Sequence, residues 1–268
     1  MAFLAVPGPF DFALTTERFR AFGADRASVW HEGGLHRVVG GRELRIEAAP
    51  GGVDAEPLDA ETESVVRALA GLRFDLDPFY AWAAGDDVLV TVVPSLAGFR
   101  PPVIPDPFEL LVGAITAQQV SLFSATAIRN RIIERFGEQV GHAWAFPARG
   151  RLARASADEL RSLGLTRRKA EYVVGLARSE LDLDSLAALP DDEVKVRLTA
   201  VRGLGEWTAD WFLARHLARP HAWPSGDLAL RKAVAALYRG LDVREARTRF
   251  HPFENLTAHY LLLSQRTP

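Results

Sequence analysis

At 268 residues the chain is long enough to bury a large core and to form one or two domains. The absence of cysteine excludes disulfides, thiolate zinc sites and a cysteine-bound iron–sulfur cluster, and no apolar run is long enough to span a bilayer. The opening MAFLAVPGPFDF lacks the charged front and long apolar stretch of a secretion signal, so a soluble cytoplasmic protein is expected. The net charge of −2 hides an uneven distribution: residues 1–100 carry 9 Lys+Arg against 15 Asp+Glu, whereas the remainder carries 23 against 19. The stretch from Arg129 to Arg178 holds 11 basic and 5 acidic residues, either a basic stripe for a polyanion or a set of solvated helix faces.

In chain order, Phe10, Phe12 and Leu14 alternate with Asp11 and Ala13, the period of a strand. Gly33-Gly34 and Gly40-Gly41 separate short β-favouring runs and predict a hairpin or meander. Apolar spacing then suits a helix over Thr62 to Leu72. After the proline-rich stretch PSLAGFRPPVIPDP the pattern turns helical and stays so. Asp106-Pro107-Phe108-Glu109 has the form of a helix start, with Asp as cap and Pro in the first turn. Further helices are expected near Ser124 to Phe136, Ser156 to Leu163, Arg167 to Ser179, Asp191 to Ala200, Glu206 to Leu217, Leu228 to Tyr238 and Asn255 to Ser264. The predicted class is α+β: an N-terminal antiparallel β-sheet domain with helices over residues 1–100, followed by an all-helical domain over residues 101–268.

The densest signal is VRGLGEWTA, Val201 to Ala209, with Asp227 in PSGDLALRK twenty positions after Trp207. Gly203 and Gly205 flank one apolar residue between two helical patterns, which allows a tight turn whose N–H groups face an anion. A helix starting near Glu206 adds the positive end of its dipole. Trp207 and Trp211 lie four apart and therefore share a helix face. Asp227 admits two readings at this point, a helix N-cap or a preplaced carboxylate for chemistry.

These residues resemble the hairpin of the helix-hairpin-helix DNA glycosylase superfamily, whose pattern is roughly L-P-G-[IVL]-G-x-x-T-A followed by an aspartate about twenty residues on. Within it the chain is most similar to the alkylation-repair branch, the 3-methyladenine DNA glycosylase II type, over about Pro105 to Leu263. The missing cysteines count against the endonuclease III and adenine-mismatch branches, which usually carry a four-cysteine cluster. The resemblance implies base excision repair by hydrolysis of the N-glycosidic bond of an alkylated base extruded from damaged double-stranded DNA, by a monomer. It assigns the catalytic role to Asp227 and lines the base pocket with Trp207 and Trp211, where a cationic alkylpurine would stack. The bifunctional 8-oxoguanine branch has a nucleophilic lysine where this chain has Trp207, so an enzyme without strand-cutting activity is expected.

By the same resemblance, backbone N–H groups of Gly203, Gly205 and Thr208 meet phosphates, and carbonyls of Thr199, Val201 and Leu204 hold a structural sodium or potassium ion. No other cofactor is expected. AITAQQVSLFSA, residues 114–125, matches the segment that fills the gap left by the extruded base, with Gln119 at the wedge and Gln118 beside it. In LGLTRRKAEYVVGLA, Arg168 and Lys169 are expected at phosphates, together with Arg167. The chain departs from the pattern at Arg202 in place of a proline, at Glu254 in place of an arginine, and at Leu262 in place of an aromatic. His216, His221, His251 and His259 show no metal-ligand spacing and are expected to be structural. Two other functions stay open: a glycosylase for oxidised or deaminated purines, and a DNA-binding protein that kept the hairpin without catalysis.

Overall fold

The computed structural model describes residues 1–266 and places an antiparallel sheet ahead of a helical body. Five strands, β1 (Ala2–Ala5), β2 (Val29–His31), β3 (Gly34–Val39), β4 (Arg42–Ala49) and β5 (Gly52–Glu56), lie in the order β1-β5-β4-β3-β2. The predicted Gly40-Gly41 turn joins β3 to β4 as a two-residue loop between paired Val39 and Arg42, with both glycines at positive φ. The other turn falls at Glu32-Gly33, one residue before the predicted pair, because His31 pairs with Gly34. Leu44 and Ile46 of β4 alternate inward with Val53 and Ala55 of β5, and the helix Ala60–Leu69 closes this core with Val66 and Leu69.

One predicted strand is a helix. Phe12–Thr16 is helical because Asp11 caps it, Oδ1 accepting from Leu14 N at 2.8 Å, while Asp11 N donates to Gly98 O. Three alternating apolar residues are too few to outweigh a local cap. The helices beyond residue 105 begin and end within a few residues of their expected bounds, from Pro107–Ala117 and Leu122–Phe136 to Leu228–Leu237 and Glu254–Ser264. Two helices, Arg149–Arg154 and Val243–Arg249, and a two-stranded hairpin, Glu138–Val140 with Ala143–Ala145, were not anticipated.

The boundary at residue 100 does not separate the cores. Helices Leu76–Ala83 and Leu89–Ser95 share one apolar cluster with residues from Trp223 to Leu263. Phe79 lies 4.9 Å from Tyr260, ring centre to ring centre, and the Tyr260 hydroxyl donates to Phe99 O at 2.7 Å. A second cluster, from Phe108 to Ala222, surrounds the hairpin. Residues 74–99 therefore belong with the C-terminal helices, and the cleft opens where the sheet side and the two helical clusters meet.

Candidate active site

The hairpin is the turn between helices Asp191–Thr199 and Glu206–Arg215. Leu204 N donates to Val201 O at 3.0 Å, and Gly203 turns the chain at φ +99°. A Cβ at Gly203 would come within 2.6 Å of Tyr172 Cβ, so both backbone and packing require glycine there. Gly205 is extended, at φ −108°, and no side chain caps the helix that follows. That end keeps the positive pole of the helix open to an anion. Thr208 does not share in it: the residue is 1% exposed and its N–H donates to Gly205 O.

Asp227 precedes the helix Leu228–Leu237 and uses its two oxygens differently. Oδ1 accepts from Ala229 N at 2.9 Å and Leu230 N at 3.0 Å, the N-cap pattern. Oδ2 accepts from Trp207 Nε1 at 2.9 Å and Trp211 Nε1 at 3.0 Å. A carboxylate has about four acceptor positions, and all four are filled. The helical period of four that separates the two tryptophans aims both indoles at one atom.

Asp227, Trp207 and Trp211 line one side of a cavity of about 460 Å³, with Leu14, Phe22 and Leu262 among the residues on its other walls. The two indoles are not equivalent. Trp207 is half-buried, whereas Trp211 is 3% exposed, with the Arg215 guanidinium carbon 3.6 Å from its ring centre and the His259 ring 5.7 Å away at its edge. Cationic stacking on both indoles was the expectation; a cation of the protein already covers Trp211. Arg18, Arg215 and Arg266, which sequence reasoning missed, also line this cavity.

The other expected residues separate into two groups. Gln119 is exposed and holds a left-handed φ of +56° at the tip between helices Pro107–Ala117 and Leu122–Phe136. Around it Val120, Leu122 and Phe123 are exposed, and Leu228 is exposed beside Asp227. This apolar rim was missed, although apolar residues at a helix start that lack a buried counterpart are a usable signal. Gln118 turns inward instead, its Nε2 donating to Gly203 O at 2.9 Å, so it braces the hairpin. Arg168 is exposed without a partner among the described residues. Lys169 is not a surface group: it is 8% exposed, its Nζ donates to Thr116 O at 3.0 Å, and burial pushes its pKa down.

Much of the basic stripe caps backbone carbonyls. Arg149 donates to Leu181 O and Ser179 O, Arg178 to Ala153 O and Ala155 O, and Arg131 to Leu163 O. Arg129 is buried between Glu109 and Asp25, and Arg37 completes the cluster on Glu109. Glu254, at the family's arginine position, is 3% exposed and accepts from His221 Nδ1 at 3.0 Å and His251 Nδ1 at 3.3 Å. Those histidines are satisfied as expected, and with Glu254 they are also close enough to share a metal ion, a grouping that spacing in the sequence did not reveal.

The chain is similar to proteins already known. A profile of the HhH-GPD superfamily of base excision DNA repair proteins matches residues 112–252, just over half of the chain. The chain is similar to a Bacillus subtilis (strain 168) protein named DNA-3-methyladenine glycosylase, 33% identical over 171 residues that cover 61% of this chain and 56% of that one. It is 30% identical over 222 residues to the probable bifunctional transcriptional activator/DNA repair enzyme AlkA of Mycobacterium tuberculosis (strain ATCC 25618 / H37Rv), covering 79% and 41% of the two. The chain spans about half the length of the curated relatives it matches. Among solved structures it resembles 3-methyladenine DNA-glycosylase from Archaeoglobus fulgidus, with a TM-score of 0.87 and 28% identity over 99% of this chain and 98% of that one. Since the profile spans the hairpin, both indoles and the carboxylate they hold, the chain belongs to the HhH-GPD superfamily of base excision DNA repair proteins.

Proposed function

We propose that the protein is a monofunctional DNA glycosylase that hydrolyses the N-glycosidic bond of alkylated bases in double-stranded DNA. The observation that carries this reading is the Asp227 carboxylate, held by two indole N–H groups at the wall of a cavity of about 460 Å³. The names of the Bacillus subtilis and Archaeoglobus fulgidus relatives support alkylated bases as the substrate class. Departure of the base leaves positive charge on the deoxyribose, and a fixed carboxylate lowers the energy of that charge. Because all four acceptor positions of Asp227 are filled, it acts through its charge; removing a proton from water would require breaking one of those contacts. Water arrives from bulk, and the released base leaves an abasic site.

The hairpin then grips the backbone beside the lesion through Gly203 and Gly205, while Gln119 fills the vacated stack and Arg168 meets a phosphate. A sodium or potassium ion would be held by the carbonyls of Thr199, Val201 and Leu204. Among the described residues Val201 O accepts only Leu204 N, which leaves it a lone pair, and such an ion would neutralise an adjoining phosphate. Trp207 offers no amine, so no Schiff base forms and the strand stays intact. In this reading the protein works as a monomer in the cytoplasm; no helix among the described residues is long and apolar enough to cross a membrane.

Duplexes carrying one defined alkylated base, incubated with protein and then treated with alkali, test the reading. Strand breaks appear only after alkali, borohydride traps no adduct, and Asp227→Asn reduces cleavage at least ~1,000-fold while binding persists. Near-normal turnover by Asp227→Asn would overturn the assignment of the carboxylate. Failure to cut any lesion in the panel would leave a DNA-binding protein.

A further inference from the structure

Outside the cavity, three side chains converge with the chemistry of a cation site. His221 lies on the loop between helix Glu206–Arg215 and Asp227, His251 precedes the last helix, and Glu254 opens that helix. None of the three lines the cavity. One ligand atom from each lies within 4.8 Å of the others. His221 Nδ1 is 3.0 Å from Glu254 Oε2, His251 Nδ1 is 3.3 Å from Oε1, and the two rings stack with centres 5.0 Å apart and planes at 21°. In a tetrahedral site with metal–ligand bonds of about 2.0–2.1 Å, neighbouring ligand atoms stand about 3.3 Å apart. The two nitrogen–oxygen separations are close to that edge.

The charge balance points the same way. Four acids are buried among the described residues, and three of them hold a permanent cation: Glu109 has Arg37 and Arg129, Asp86 has Arg249, and Asp210 has Lys195. Glu254 is 3% exposed and is paired, among the described residues, with histidines alone. A buried carboxylate is costly without a compensating charge, and a histidine carries one only when protonated. Two stacked imidazolium rings would also repel each other. A divalent ion between the rings and the carboxylate meets the demand with both rings neutral.

We propose that His221, His251 and Glu254 form a site for a divalent ion of the Zn²⁺ class, which clamps the loop ahead of Asp227 onto the start of the last helix. Two imidazole nitrogens and one carboxylate suit such an ion, whereas Mg²⁺ and Ca²⁺ take oxygen ligands. The His221 and His251 side chains are 45% and 64% exposed, so water completes the shell. On binding, each neutral ring keeps one hydrogen: it moves through water from Nδ1, where it faces Glu254, to Nε2, and Nδ1 offers its lone pair to the ion. The loop is already tied to the same helix, because Asn255 Nδ2 donates to Ala214 O at 3.1 Å and Arg219 O at 2.9 Å, and Asn255 N donates to Pro220 O at 3.0 Å. The ligands are therefore held near one another before the ion arrives, which lowers the entropy cost of binding. The ion's role is structural, and the proposal does not depend on the glycosylase reading.

Tag-free protein stripped with chelator is titrated with ZnCl₂ by calorimetry and heated with and without it. The wild type should bind one Zn²⁺ with a Kd of about 10 μM or tighter, and MgCl₂ should not compete. His221→Ala and His251→Ala remove exposed side chains and leave the core intact; each should weaken binding at least ~10-fold, as should Glu254→Gln. Zn²⁺ at about 100 times Kd should raise the Tm of the wild type by roughly 5 °C and that of each variant by less than about 2 °C. No stoichiometric binding up to about 1 mM Zn²⁺, or binding that both His→Ala variants leave unchanged, overturns the proposal. Neither readout uses DNA or turnover, so a failure here leaves the glycosylase reading standing, and a protein that cuts no lesion can still uphold the metal site.

Discussion

A double-mutant cycle on Asp227 and Trp211 measures the contact on which the site depends. Asparagine caps a helix about as well as aspartate, so Asp227→Asn keeps Oδ1 on Ala229 N and Leu230 N and turns its amide NH₂ toward the two indoles. Donor then faces donor. A hydrogen bond to a charged acceptor contributes about 1.5–3 kcal/mol, and the half-buried Trp207 recovers part of its loss from water, so Asp227→Asn should cost roughly 2–3 kcal/mol. Trp211→Phe removes the other partner and leaves a small void in a residue 3% exposed, for roughly 2 kcal/mol. In the double variant the asparagine meets one indole fewer, so the total should fall short of the sum by about 1–2 kcal/mol. Urea unfolding followed by far-ultraviolet circular dichroism reads all four corners without relying on indole emission. Additivity within about 0.3 kcal/mol would refute the indole–carboxylate contact.

Three more outcomes follow from the same structure. Gly203→Ala places a side chain at φ +99° against Tyr172, which should destabilise by about 2 kcal/mol or more in urea; a cost below about 0.5 kcal/mol would mean that the turn relaxes freely. Arg129→Met removes the ion-pair partner of Asp25 and one of the two guanidinium groups on Glu109, which keeps Arg37, and is expected to cost about 3 kcal/mol, whereas a change under about 1 kcal/mol would show that the cluster is solvated. Asp59 is held at about 2, below its ordinary 3.8, by the Thr62 backbone N–H first and Arg42 next. A depressed carboxylate stabilises above its unfolded pKa and loses that contribution as pH falls through the folded one. The stability gap between wild type and Asp59→Ala should therefore be constant above about pH 4 and close toward pH 2, and a gap that widens on acidification would contradict the capping geometry.

What was legible in the sequence is whatever a short stretch specifies by itself. The glycine turn, the period-four tryptophans and the capped start at Asp227 each lie within one segment, and the structure brings them together. Lys169 sits in the same kind of segment, and its burial could have been read: it is four residues before Val173, on the face of helix Arg167–Arg178 that also holds Ala170 and Val174. The arginine wall could not, because Arg18, Arg215 and Arg266 come from three distant parts of the chain with no shared period. The same holds for residues 74–99. Their apolar face reads as part of whichever domain precedes the proline-rich stretch, and only the fold shows that the partner of Phe79 is Tyr260, some 180 positions on.

The two sequence readings of Asp227, cap and chemistry, turn out to be compatible and to depend on one another. Serine, threonine or asparagine at position 227 would start the helix Leu228–Leu237 comparably well, so helix formation alone does not require a carboxylate. The second oxygen does. Capping fixes the side chain through Oδ1, and that constraint lets Oδ2 meet Trp207 and Trp211 at 2.9 and 3.0 Å. The indoles belong to the helix that leaves the hairpin turn, and the carboxylate belongs to the next helix. One charged group therefore fixes the hairpin helix against the next helix, which under the proposed function is the registration between backbone grip and sugar, and a neutral cap in its place would preserve the helix Leu228–Leu237 while removing both the charge and that registration.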